Sequence, residues 1–204
     1  QSIQAHETEK MRQDAQLAAD IVPQATDHSA PNGRVILTGS TGFFGRFMLD
    51  SLLRLSDSNV AVIVRSQDVH HAQRRIDAAL QRVAPRDVDT ADELRRRVSV
   101  HCGDLLKPRL GLSDQNWETM ANEASAVYHC GAAVDYVRPY AALRAANVQG
   151  TQEALRLACQ GRAKSFHLVS TTFIFGWSAP RSLLESDYNP EMEELDFGYA
   201  QTKW

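Results

Sequence analysis

Short β-branched runs alternate with longer helical stretches along most of this chain, and that alternation restricts its fold more than any other feature. Val35-Ile36-Leu37 and Ala61-Val62-Ile63-Val64 are apolar without interruption, as strands covered on both faces are and half-exposed strands are not. Val98-Ser99-Val100, Ala126-Val127-Tyr128 and Phe166-His167-Leu168-Val169 follow as further strands. The stretches Phe44 to Leu55, His71 to Val83, Trp117 to Glu123 and Tyr140 to Cys159 carry helical periodicity. Parallel strands need crossovers, and crossovers are right-handed. Five β-α units in succession therefore predict an α/β fold: a Rossmann-type, doubly wound parallel sheet with helices on both faces, from residue 34 to 204.

Residues 1–33 differ in character. Met11, Ala15, Ala18 and Val22 recur at helical spacing, with Leu17 and Ile21 widening the face, which predicts one short amphipathic helix. Pro23 to Gly33 has the composition of a loop. The segment reads as a lead-in that docks on the following domain, or as a linker from an upstream one. A length of 204 suits one domain with an appendage. With 43% hydrophobic and 23% charged residues, a packed core is expected and intrinsic disorder is not. The net charge of −3 supplies no electrostatic pull toward nucleic acid or an anionic membrane. No apolar run approaches the roughly 20 residues a bilayer span requires. Three cysteines, Cys102, Cys130 and Cys159, sit in apolar contexts and point to a reducing cytoplasm.

Directly after the first strand comes Thr38-Gly39-Ser40-Thr41-Gly42-Phe43-Phe44-Gly45. Gly39 permits a tight turn, Gly42 lets a pyrophosphate approach the backbone, and Gly45 lets the helix pack close to the sheet. The helix that begins there offers free N–H groups and its positive dipole end to phosphates. Thr41, Phe43 and Phe44 in this loop are cofactor candidates. The second strand runs out at Arg65, where an acidic residue for a ribose 2′-hydroxyl is the usual NAD signal. An arginine there suits a 2′-phosphate instead, and Arg75 is a candidate second clamp. Asp104 and Leu105 after the third strand are candidates for the adenine; Ala132 and Ala133 after the fourth allow close approach of a cofactor.

Tyr199 and Lys203 are four residues apart and share a helix face. An ammonium beside a phenol is expected to lower the phenol's pKa and ease proton transfer to a developing alkoxide. Thr171, just past the fifth strand, is placed to hydrogen-bond a substrate carbonyl. His101-Cys102 and His129-Cys130 alternate across strand faces and lack a Cys-x-x-Cys knuckle, so no metal site is expected. His70-His71 reads as a helix start and Arg95-Arg96-Arg97 as a solvated helix end. Trp117 and the Phe43-Phe44 pair read as packing residues.

Taken together, these stretches resemble the extended short-chain dehydrogenase/reductases. More narrowly they resemble the thioester reductase domains of non-ribosomal peptide synthetases, with the carboxylic acid and aminoadipate reductases. The resemblance rests on Leu37 to Arg46, Val62 to Arg65, Gly103 to Leu112, His129 to Val134, Asn147-Val148-Gln149-Gly150-Thr151, Leu168 to Thr171 and Tyr199 to Trp204. It implies NADPH-dependent reductive release of an acyl or peptidyl thioester from a carrier protein's phosphopantetheine arm, as an aldehyde or onward to the alcohol. By the same resemblance Tyr199 and Thr171 stabilise the oxyanion, and Lys203 holds the nicotinamide ribose. Arg65 and Arg75 take the 2′-phosphate, Arg46 touches the pyrophosphate, and Asn147, grouped with the cofactor residues, supports the catalytic helix. It also implies further strands and a smaller C-terminal substrate domain beyond Lys203, so that a chain stopping at Trp204 is expected to be truncated, with most of the cofactor site and little acyl pocket. The other readings are a different extended-family activity, such as nucleotide-sugar epimerisation or hydroxysteroid oxidation, and a non-catalytic dinucleotide-binding or carrier-docking module.

Overall fold

Five parallel strands form one sheet: β1 (Arg34–Thr38), β2 (Asn59–Val64), β3 (Val98–Cys102), β4 (Ala124–His129) and β5 (Ser165–Leu168). Their order is β3-β2-β1-β4-β5. This is the Rossmann-type sheet that the alternating pattern predicts, and the chain direction of the order reverses between β1 and β4. Such a switch point opens a crevice at the C-terminal ends of the strands. The computed structural model describes residues 2–24, 33–83, 88–176, 182–184, 186–187, 189 and 195–204. Most of the loop expected at Pro23 to Gly33 lies outside the described residues.

The uninterrupted apolar runs follow from helices on both faces. From β1 and β2, Val35, Leu37, Val60 and Val62 pack with Leu49, Leu53 and Ile76 of α2 (Phe43–Leu55) and α3 (Val69–Val83). On the opposite face Ile36, Ile63 and Val127 pack with Trp117, Met120 and Leu157 of α5 (Asp114–Glu123) and α7 (Gly150–Cys159). Each buried side chain of this size contributes roughly 1.5–3 kcal/mol. Trp117 is fully buried and its indole N–H donates to Gln160 Oε1 at 2.8 Å.

The lead-in does not form the helix its spacing predicts. Helix α1 instead covers Ser2–Asp14, and the backbone turns after it through Ala15 N–H to Met11 O and Gln16 N–H to Gln13 O. Tertiary bonds explain the break. The Asp14 carboxylate accepts from Tyr140 Oη at 2.7 Å and from two guanidinium nitrogens of Arg144, and Gln152 Nε2 donates to the Asp14 carbonyl. Met11 and Ile21 are buried while Leu17 and Val22 are exposed.

Two basic side chains cap helices in a way the sequence did not suggest. The short helix α4 (Val88–Arg96) precedes β3, and Arg97, expected to be solvated, donates to the carbonyls of Leu53 (2.8 Å), Ser56 (2.5 Å) and Ser58 (2.8 Å). It thereby satisfies groups left open at the C-terminus of α2. Buried Lys164 plays a similar part with the carbonyls of Ala121 (2.6 Å), Gln160 (2.9 Å) and Arg162 (2.6 Å).

The stretch expected as one helix over Tyr140 to Cys159 is helical throughout but not uniform. It comprises α6 (Tyr140–Arg144), a π-helical turn at Ala145–Gln149, and α7. Wide turns of this kind shift side chains out of α-helical register and cluster at functional sites. The last described helix is α8 (Gly198–Lys203).

Candidate active site

A cleft of about 440 Å³ opens where the sheet order reverses. It is bordered by the glycine loop, the end of β2, the turn after β3 and the segment after β4. Gly39 adopts φ 71°, and a Cβ there would lie 2.6 Å from the Gly131 nitrogen, so only glycine fits. A Cβ on Gly45 would collide with the Gly39 carbonyl. These two constraints hold the loop against β4 and against the first turn of α2. No side chain caps the N-terminus of α2 and no acidic residue sits in its first turn. The loop is thus a backbone cradle with a positive dipole end, and a dinucleotide pyrophosphate fits it.

Thr41, Gly42, Arg65, Arg75, Asp104, Leu105, Ala132 and Ala133 all border this cleft. Arg75 bonds the Arg65 carbonyl and, at 3.0 Å, Thr41 Oγ1, tying the end of β2 to the glycine loop. Arg65 is exposed beside it. Asp104 Oδ1 accepts from the Leu106 N–H at 3.0 Å, and the Asp104 N–H donates to the Leu110 carbonyl at 2.6 Å. That last bond depends on an unusual turn in which Arg109, Leu110 and Gly111 take φ of 51°, 54° and 68°.

Four expected members of the site are placed differently. Phe43 and Phe44 are 76% and 49% exposed, so they are not core packing residues, and neither they nor Arg46 borders the cleft. The Arg46 guanidinium lies 5.2 Å and 5.3 Å from the Phe43 and Phe47 ring centres, where cation–π attraction draws it aside from the phosphate cradle. Asn147 is buried rather than facing the cleft. Its Oδ1 accepts from the Ala133 N–H at 2.7 Å, while Nδ2 donates to the Ala133 carbonyl and to Thr202 Oγ1, both at 2.9 Å. It therefore pins the segment after β4 to α8, a positioning role that uses both amide protons.

Behind the cleft lies a network that sequence reasoning missed. Fully buried His129 has Nδ1 at 2.8 Å from Thr38 Oγ1 and Nε2 at 3.2 Å from Thr151 Oγ1. The Gly131 N–H donates to Thr38 Oγ1 at 3.0 Å and Thr151 Oγ1 donates to the Asn147 carbonyl at 2.5 Å. With each hydroxyl giving one proton, Thr38 donates to Nδ1 and the imidazole is the neutral Nε2–H form. Burial drives its pKa down to about 4, with Lys203 adding to the effect. The chain of bonds runs from the glycine loop through His129, Thr151 and Asn147 to Thr202. Asn147 and Thr151 belonged to a stretch singled out in the sequence; nothing in one dimension marked His129 or Thr202 as their partners.

Helix α8 sets Tyr199 and Lys203 beside this assembly. Tyr199 is buried at 7% exposure. Its ring stands edge-to-face with Tyr136, 5.8 Å between centres. Lys203 Nζ donates to the Val169 carbonyl at 2.7 Å, two residues before Thr171. Thr171 caps the turn Thr172–Phe175 through its side-chain oxygen, and that turn packs on α8. The expected lowering of the Tyr199 pKa by Lys203 is not what this arrangement produces. Burial, and after it Tyr136, pushes the phenol up, and burial pulls the Lys203 ammonium down. Tyr199 thus keeps its phenol proton at neutral pH.

Residues 37–204 match the model of an NAD-binding family described as "Male sterility protein". Aldehyde reductase lnaA of Aspergillus flavus is 39% identical over 94% of this chain, and the chain spans 19% of that protein. Nonribosomal peptide synthetase asaC of Aspergillus flavus is 37% identical over 94% of this chain, which spans 20% of it. Among solved structures, the terminal R domain from the myxalamid PKS-NRPS biosynthetic pathway superposes with a TM-score of 0.86 at 35% identity, covering 97% of this chain and 50% of that one.

Proposed function

The chain belongs to the NAD-binding family described as "Male sterility protein", and from that premise we propose that it is the cofactor-binding part of an NADPH-dependent thioester reductase. In this reading an acyl or peptidyl chain, held as a thioester on a carrier protein's phosphopantetheine, is released as an aldehyde. The observation that carries the reading is the placement of buried Tyr199 and half-buried Lys203 on one helix, tied through Thr202 and Asn147 to the segment that borders the glycine-loop cleft.

Bound NADPH would supply the hydride. Gly39, Thr41, Gly42 and Gly45 would shape its pyrophosphate site, and Asp104 and Leu105 would face its adenine. Arg65 and Arg75 would clamp the 2′-phosphate, two guanidinium groups at the end of a strand where a free 2′-hydroxyl is usually met by a carboxylate. Ala132 and Ala133 leave room for the cofactor. Lys203, with Val169 as its present acceptor, would orient the ribose.

As the thioester carbonyl becomes tetrahedral, Tyr199 gives its proton to the oxyanion and Thr171 donates a second hydrogen bond. The phenol carries the proton this step needs at neutral pH. The resulting hemithioacetal collapses to aldehyde and thiol. Among the described residues no helix is long and apolar enough to cross a membrane. Cys102, Cys130 and Cys159 stand as free thiols, which supports the cytoplasm as the compartment.

The test is NADPH oxidation with an acyl-pantetheine thioester. Tyr199→Phe is expected to lower turnover by about 10²–10⁴-fold, the usual worth of a positioned proton donor, with NADPH affinity unchanged. Undiminished aldehyde formation by that variant would remove Tyr199 from the mechanism.

A further inference from the structure

The segment between β4 and α6 carries a group of exposed apolar side chains that the cofactor does not explain. Val134, Tyr136 and Val137 are 58%, 57% and 93% exposed. They do not sit on a loose loop. Asn147 holds Ala133 by both its N–H and its carbonyl, and Asp135 Oδ1 accepts from the N–H groups of Val137 (2.9 Å) and Arg138 (3.0 Å). Gly198, the first residue of α8, lies so close that a Cβ would collide with the backbone of Arg138, Pro139 and Tyr140. Loop and catalytic helix are therefore one rigid body.

One edge of this segment borders the cofactor cleft through Ala132, Ala133 and Arg138. The other presents Tyr136, whose ring makes edge-to-face contacts with Tyr199 (5.8 Å), Phe173 (5.8 Å) and Phe197 (5.5 Å). Exposed apolar groups on a rigid support beside a reacting group have the character of a binding wall. We propose that Tyr136 is a specificity-determining residue whose exposed ring, with Val137, forms the wall along which an apolar acyl chain lies as its carbonyl meets Tyr199. This rests on the thioester reductase reading for the identity of the substrate. An acyl chain fits better than the pantetheine arm, because the wall offers aromatic and aliphatic carbon where the arm would need partners for two amides.

The experiment measures, on the full chain with NADPH, turnover of acetyl- and octanoyl-pantetheine thioesters. Alongside it, calorimetry follows binding of the non-reducible octanoyl-pantetheine amide and its acetyl counterpart. Tyr136→Ala is expected to weaken the octanoyl amide and raise the octanoyl KM by about tenfold more than it changes the acetyl values, any effect on kcat through its contact with Tyr199 falling on both substrates alike, while NADPH affinity stays within about twofold. Tyr136→Phe, which keeps the ring and guards against a variant that fails to fold, is expected to bind octanoyl as the parent does. Equal losses for acetyl and octanoyl would show that the arm, not the acyl chain, touches Tyr136 and would overturn the proposal. So would unchanged binding in Tyr136→Ala, or no preference of the parent for octanoyl over acetyl amide. If neither thioester is turned over although the octanoyl amide binds, the reductase reading falls, and the amide affinities alone decide the role of Tyr136.

Discussion

Among single residues, charge and burial set what each group does. Arg65 is exposed at the cleft edge, so Arg65→Ala should cost little stability. One lost charge-assisted hydrogen bond is worth about 1.5–3 kcal/mol, which predicts roughly 10- to 100-fold weaker NADPH binding with NADH nearly unaffected. Parallel calorimetric titrations check this, and equal losses for both cofactors would leave no 2′-phosphate contact to Arg65. Arg75 is different, because its guanidinium already joins Arg65 and Thr41; Arg75→Ala should weaken both cofactors by loosening the loop. His129 makes a pH prediction. Its folded pKa of about 4 lies below the ordinary value of 6.5, so the unfolded chain takes up a proton that the folded one refuses. Stability should therefore fall as pH drops from about 6.5 toward 4, by at most about 1.4 kcal/mol per unit from this group. Denaturant melts across that range should show a shallower fall in His129→Gln than in the parent. The paired Tyr199 and Lys203 were legible because a four-residue spacing is a local fact. The direction of the Tyr199 shift was not, since burial depends on Tyr136 and its neighbours rather than on the next turn of helix.

Among helices and strands, the seating of α2 on the glycine loop governs whether the site is assembled. Gly45 lets the first turn of α2 sit on the Gly39 carbonyl, and a methyl there has backbone to meet rather than a movable side chain. Gly45→Ala should destabilise by about 3 kcal/mol or more, read as a fall in Tm together with loss of cofactor binding. Strands β1 and β2 were legible because helices on both faces make them uninterrupted in their apolar character. The π-helical turn at Ala145–Gln149 was not, because its effect is to bring Asn147 to Thr202, 55 residues away. Arg97 was misread for the same reason: its helical neighbours in sequence say nothing of the Leu53 carbonyl that it caps.

Across the molecule as a whole, α1 is joined to the domain through Asp14 and through buried Met11. Burial opposes the charge, but bonds from Arg144 and Tyr140 more than offset it and hold the carboxyl below the usual range. Its contribution is present above the ordinary value of 3.8 and is lost as pH falls through the lowered one. At neutral pH, Asp14→Ala should cost about 2 kcal/mol of attachment. Hydrogen exchange should then rise in Ser2–Asp14 while the strands stay protected; matched protection in both variants would mean that α1 is held by Met11 and the apolar contacts instead.

The layered α/β sheet, the place of the glycine loop and the helix that bears Tyr199 and Lys203 were all written in the order of the residues. Each of these follows from periodicity or from a backbone demand met within a few residues. Where α1 ends, which carbonyls Arg97 and Lys164 cap, and how Asn147 and His129 join the glycine loop to α8 emerged from the folded arrangement alone. Those outcomes depend on buried polar groups finding partners far along the chain. A buried donor or acceptor must be satisfied by whatever the fold brings beside it, and the one-dimensional order of residues carries no record of that.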